Sequence, residues 1–140
     1  MIRRHRFLKM TSAMMAVILG CADPTEVTAD LSLPEPAELT LSIGDTEQLD
    51  GGLMVTLEGV SEDSRCPSDV ECVWEGRIAA DLRLAIFDEA GDEVRVDSSG
   101  EGAADWRDLR VTLVEATPDP VSTGAIDPED YRITVRLEER

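Results

Sequence analysis

Beyond residue 20 the chain has no histidine and no lysine; its single examples, His5 and Lys9, both fall in the leader. Without an imidazole, Ser-His-Asp and Cys-His arrangements and every histidine-containing zinc site are excluded from the mature domain. Without an ammonium group, so is Schiff-base chemistry. Large rings are few: Trp74, Phe87, Trp106 and Tyr131 are all that a domain core could draw on. Positive charge is scarce as well. Beyond Gly20 there are 9 basic side chains against 30 acidic ones, a net charge of −21. A surface that negative repels nucleic acid phosphates and anionic lipid headgroups, so neither is expected as a partner of the folded part, whereas cations or a basic partner protein would be attracted. The simplest use of such charge is a highly solvated surface suited to a salty or crowded exterior; specific calcium binding is the alternative. At 140 residues there is room for one domain once a leader is removed.

A long apolar run is also missing. MIRRHRFLKM is a basic opening, and the apolar stretch Thr11 to Leu19 is far shorter than the roughly 18 to 20 residues of a transmembrane helix. That is the plan of a secretory signal peptide. Its end, Ile18-Leu19-Gly20-Cys21, resembles the lipobox of bacterial lipoproteins, with an aliphatic residue at −3, a small one at −1 and the obligatory cysteine. The resemblance implies a diacylglyceryl group on the Cys21 thiol, cleavage after Gly20 and acylation of the new amino group. Two or three chains, at about 0.8 kcal/mol per buried CH₂, would anchor the protein stably where one would not. The alternative is ordinary cleavage and a freely secreted product. Ala22 stands where aspartate would favour inner-membrane retention, so the outer membrane is the expected destination. Parity agrees: of the three cysteines, lipidation of Cys21 leaves Cys66 and Cys72 as an even pair.

Residues 21–36, with three prolines and no sustained period, read as a linker lifting a domain of residues 37–140 off the bilayer. In that domain the signal is period-two alternation. Leu39, Leu41 and Ile43 form one run; Leu53, Val55 and Leu57 form a second, with Gly59 expected as a bulge. A third runs from Val73 to Phe87, placing Trp74, Gly76, Ile78, Ala80, Leu82, Leu84 and Ile86 on one face. Asp88 to Asp92 is a hairpin turn with Gly91 at positive φ. Val94 and Val96 return, Leu109, Val111 and Leu113 form a fifth strand, and Tyr131, Ile133, Val135 and Leu137 form the last. Val121 to Asp130 is expected to cross from one sheet to the other. Six to seven short strands without an amphipathic helix predict an antiparallel β-sandwich, with a small barrel as the alternative.

The chemistry-bearing residues are few. Cys66 and Cys72 can be read as a structural disulfide, a redox pair or a metal site. Export, a Cys-x₅-Cys spacing and the lack of histidine favour the disulfide. Closing that loop should stabilise by roughly 2.4 kcal/mol in the chain-entropy estimate. Asp88, Glu89, Asp92 and Glu93 crowd one turn and could offer oxygen ligands to calcium, as could Asp127, Glu129 and Asp130, although neither spacing fits an EF-hand and a charged turn is usually just solvated. With 30 acidic residues, paired carboxylates carry no information about glycosidase chemistry. Trp106, among Asp105, Arg107 and Asp108, is either an exposed partner contact or an edge ring packed over the core. Arg65 is expected to pair with Asp63 or Asp69.

Asp63-Ser64-Arg65-Cys66-Pro67, then Val70, Cys72-Val73-Trp74 and Gly76, resembles a recurring motif of small uncharacterised bacterial exported proteins and lipoproteins, DSRCP followed by V-x-C-x-W-x-G before a long strand. The resemblance extends loosely to the closing DYRITVRLE strand; Glu75 stands where such proteins often carry alanine. It implies a short β-rich domain and an architectural role for the cysteines and tryptophan, and it brings no activity, cofactor or catalytic residue. The expectation is a non-catalytic, membrane-anchored envelope module that binds a protein or small-ligand partner, with the loop of Cys66 and Cys72 aiming Trp74 into the core. A calcium- or small-ligand-binding domain is the second expectation, and a carboxylate hydrolase the third.

Overall fold

The structure, a computed structural model, describes residues 33, 35–87 and 89–140. The stretch read as a signal peptide, Cys21 and most of the stretch read as a linker, together with Asp88, lie outside the described residues. Eight antiparallel strands form two four-stranded sheets that face each other and do not close into a barrel. The strands are β1 (Ala37–Leu41), β2 (Thr46–Gln48), β3 (Leu53–Asp63), β4 (Ile78–Ile86), β5 (Asp92–Asp97), β6 (Ala104–Trp106), β7 (Leu109–Thr117) and β8 (Arg132–Glu139). One sheet has the order β1-β8-β7-β6 and the other β2-β3-β4-β5. The chain thus lays down one edge strand, builds the second sheet as a meander, and returns to complete the first. The β-sandwich expected from alternation is what forms.

The core follows the pattern directly. Leu53, Val55 and Leu57 of β3, Ile78, Ala80, Leu82, Leu84 and Ile86 of β4, and Ile133, Val135 and Leu137 of β8 are buried and form one cluster. Each takes alternate positions because successive side chains point to opposite faces. Gly59 lies at the first of two register shifts in the β3–β4 pair, the expected bulge, and a second falls between Val60 and Glu62. Gly91 has φ 74°, as the hairpin turn requires. Leu33, within the stretch read as linker, is buried, and its N–H donates to Glu139 Oε1 at 3.0 Å.

Three expectations need correction. Val121 to Asp130 does not change sheets: it joins β7 to β8, which are paired neighbours. The third strand begins at Ile78, not Val73. Of the four rings, only Trp106 and Tyr131 are buried; Phe87 is exposed and Trp74 is 76% exposed. Phe87 follows the last strand residue in the left-handed region, φ 51°, and its ring lies outside against Gly52, where a Cβ would collide with it. Leu82→Ala, at a site with no exposure, should lower the urea midpoint by the equivalent of about 2 to 5 kcal/mol with an unchanged m-value.

Candidate functional site

The β3–β4 hairpin does not end where its strands do. Ser64 N–H donates to Arg77 O at 2.7 Å and Cys66 N–H to Glu75 O at 2.8 Å, so a ribbon of backbone bonds runs on past the sandwich to a tip closed by the Cys66–Cys72 disulfide, with Cα atoms 5.9 Å apart. Gly76 is the point of departure. Its φ of 70° lies in the left-handed region, and a Cβ there would collide with the Ser64 carbonyl. The turn at Gly76 breaks the alternation that would have carried Trp74 onto the core face with Ile78. Trp74 therefore points into solvent, with Val73 94% exposed beside it.

The tip is fixed from both sides. At its base, Arg65 forms a two-toothed pair with Asp63, Nε to Oδ1 at 2.9 Å and Nη2 to Oδ2 at 2.7 Å. The same guanidinium donates to the carbonyl of Ala116 in β7 of the other sheet at 2.6 Å and to that of Pro118, just past the end of β7, at 2.9 Å. Tyr131, just before β8, donates its hydroxyl to Asp63 Oδ2 at 3.0 Å. The expected Arg65 pair thus forms with Asp63. Asp69 turns instead to Ser122, accepting from its N–H at 2.8 Å and from its hydroxyl, while Ser68 N–H donates to Pro120 O at 2.9 Å.

Burial at this base has electrostatic consequences. It pushes the Asp63 carboxyl upward, but hydrogen bonds from the Arg65 side chain and N–H and from the Tyr131 hydroxyl outweigh that, and its pKa sits below the ordinary value. The Arg65 guanidinium is raised by its bond to Asp63, and the Tyr131 hydroxyl is raised by burial and by its bond to Asp63. At the tip Asp69 is lowered by the hydroxyl and N–H of Ser122.

The other sequence candidates are placed as follows. Glu89 is paired with Arg107 at 2.7 Å, Asp92 accepts from the Trp106 indole N–H at 2.8 Å, and Glu93 lies 3.3 Å from Arg83. These three carboxylates face three different donors, and among the described residues no cluster of acidic, histidine or cysteine side chains is arranged to hold a metal. Asp127 caps the short turn Pro128–Asp130 by accepting from Glu129 N–H at 3.0 Å. Trp106 is 6% exposed and is the edge ring over the core, not an exposed contact, with the Arg107 guanidinium 4.7 Å above its centroid. The exposed indole is Trp74, which parity placed inside. The signal that could have found it is Gly76, a residue able to turn where the alternation assumed a straight strand.

A shallow notch of about 210 Å³ lies at the tip, lined by Cys66, Cys72, Val73, Trp74 and Glu75. A larger dish of about 510 Å³ on the outer face of the second sheet is lined by Glu58, Gly59, Asp81, Glu93, Val94 and Arg95. Set against protein-family models, curated proteins and solved structures, the chain matches none.

Two outcomes test this geometry. Gly76→Ala should destabilise by about 1 to 3 kcal/mol through the strained φ and the clash, read by thermal melting. Asp63 has a folded-state pKa below its unfolded value near 3.8. Its stabilisation is therefore complete above that value and is lost as pH falls through the lower folded one. Asp63→Asn should lower stability by about 2 to 4 kcal/mol at pH 7, and the difference from wild type should shrink below about pH 4.

Proposed function

We propose that this chain is a lipid-anchored envelope lipoprotein whose β-sandwich is a non-catalytic binding module, presenting the disulfide-clamped hairpin tip to a partner. The observation that carries the reading is the exposure of Val73 and Trp74 on a tip held by a disulfide and by bonds to the loop that follows β7. Apolar side chains in water are disfavoured, and fixing them there gives no return in folding; a rigid exposed anchor lowers the entropic cost of binding. Of the six large apolar side chains exposed in the described residues, Val70, Val73 and Trp74 lie in this tip, and Val121 is on the segment to which the tip is bonded. The described carboxylates with displaced pKa values, Asp45, Glu62, Asp63, Asp69, Asp97 and Asp105, are all displaced downward. Each is lowered by hydrogen bonds or ion pairs from neighbouring groups.

The disulfide is compatible with export into an oxidising compartment. An anchor at Cys21 would hold the domain at the outer membrane by two or three acyl chains. Mass spectrometry of the membrane fraction should find a mature N-terminus at a diacylglyceryl-modified Cys21, and Cys21→Ser should move the protein to the soluble fraction. An unmodified N-terminus at another residue would defeat the anchoring proposal.

A further inference from the structure

Resting on the binding-module reading, we propose that the hairpin tip docks a cationic protein segment, with an arginine or lysine of the partner over the Trp74 ring and its apolar neighbours against Val73. The centre of the patch is apolar and its rim is acidic. Glu71 and Glu75 flank Val73 and Trp74, and neither is in an ion pair among the described residues. Of the two bases on the ribbon, Arg65 is 14% exposed and engaged with Asp63 and the carbonyls of Ala116 and Pro118, and Arg77 at its foot is paired with Glu62 at 2.8 Å, so both are already engaged away from that rim. Across the base of the tip Asp119 adds a carboxylate that is 78% exposed and 3.8 Å from Arg65 Nη1.

A cation seated on an indole face gains from the ring quadrupole, about 0.5 to 1 kcal/mol when exposed and about 2 or more when desolvated. Adjacent carboxylates add attraction of the same sign. A second copy of this chain would set the same acidic rim against itself. A neutral ligand could donate hydrogen bonds to the carboxylates but would leave their charge uncompensated.

Three labelled probes added to the full-length lipidated chain in neutral detergent test this: an octapeptide alternating arginine and valine, its glutamate–valine counterpart, and an oligosaccharide of β-1,4-linked N-acetylglucosamine. The arginine peptide should bind in a salt-dependent manner and shield a tryptophan from acrylamide. Its affinity, read by anisotropy, should fall at least tenfold in Trp74→Ala and at least threefold in the double variant Glu71→Gln with Glu75→Gln. It should be unchanged in Glu138→Gln, on another face. Trp74 is exposed, so an unaltered melting temperature is expected to confirm folding of its variant. Equal binding to Trp74→Ala, or shielding by the acidic peptide or the oligosaccharide instead, overturns the inference.

A photo-cross-linking residue in place of Val73, used in the native envelope, separates this from the broader reading. Cross-links to a Lys- or Arg-rich segment support both. Cross-links to an acidic or neutral surface overturn the cationic partner and leave the binding module standing. No cross-link overturns both.

Discussion

The ion pair between Asp63 and Arg65 is where the two sheets and the hairpin tip are tied together. Asp63 closes β3; Arg65 stands two residues on, at the foot of the ribbon. One guanidinium satisfies both carboxylate oxygens and two carbonyls at the end of β7, those of Ala116 and Pro118, which a planar fork of five donors can do and a single ammonium cannot. Both side chains are largely shielded, 14% and 12% exposed, so the pair is neither a screened surface contact nor a bare buried charge. With the Tyr131 hydroxyl also on Asp63, the end of β3 and the residue that leads into β8 share one carboxylate. Removing either charge would strand its partner in a site with little water, the condition under which such pairs matter most.

The rigidity of the tip follows from that tie. A two-stranded ribbon alone is marginal in water. Here it is extended by only two backbone bonds beyond β3, those of Ser64 and Cys66, and is then closed covalently. Ser68 and Asp69 fasten the closed loop laterally to Pro120 and Ser122. The disulfide restrains the loop itself, whereas the Arg65 network and the Asp69–Ser122 bonds restrain where the loop sits. Together they set where Val73 and Trp74 stand relative to the sandwich.

Alternation was legible wherever one face of a strand is buried. The inward sets of β3, β4 and β8 could be named from spacing alone, since a one-residue slip would expose every core side chain. The strands β2 and β6 were not legible: Thr46–Gln48 carries no apolar residue, and Ala104–Trp106 is too short to show a period. Parity also failed at Trp74, because counting in twos assumes an unbroken strand and Gly76 breaks it. Asp63 as the partner of Arg65, two residues away, could be guessed, but the second donor to Asp63, Tyr131, 68 residues from it, could not. Which sheet receives the chain after β7 depends on pairing partners, and alternation within one strand says nothing about its neighbour.

Charge is the property that sequence and structure describe in the same terms. Eight of the nine cations beyond residue 20, Arg65, Arg77, Arg83, Arg95, Arg107, Arg110, Arg136 and Arg140, lie within 4.0 Å of a carboxylate. The ninth, Arg132, donates to the carbonyls of Glu129 and Tyr131. Exposed pairs of this kind contribute only about 0 to 1 kcal/mol each, so their main effect is on what remains. With the cations taken up locally, the field around the domain is that of the surplus carboxylates. At physiological ionic strength that field decays over about 8 Å. It can draw a basic surface toward the domain from any side, but it cannot choose the side. In the proposed binding module, selection would come from contacts shorter than the screening length, and the apolar pair at the tip is the surface proposed to make them.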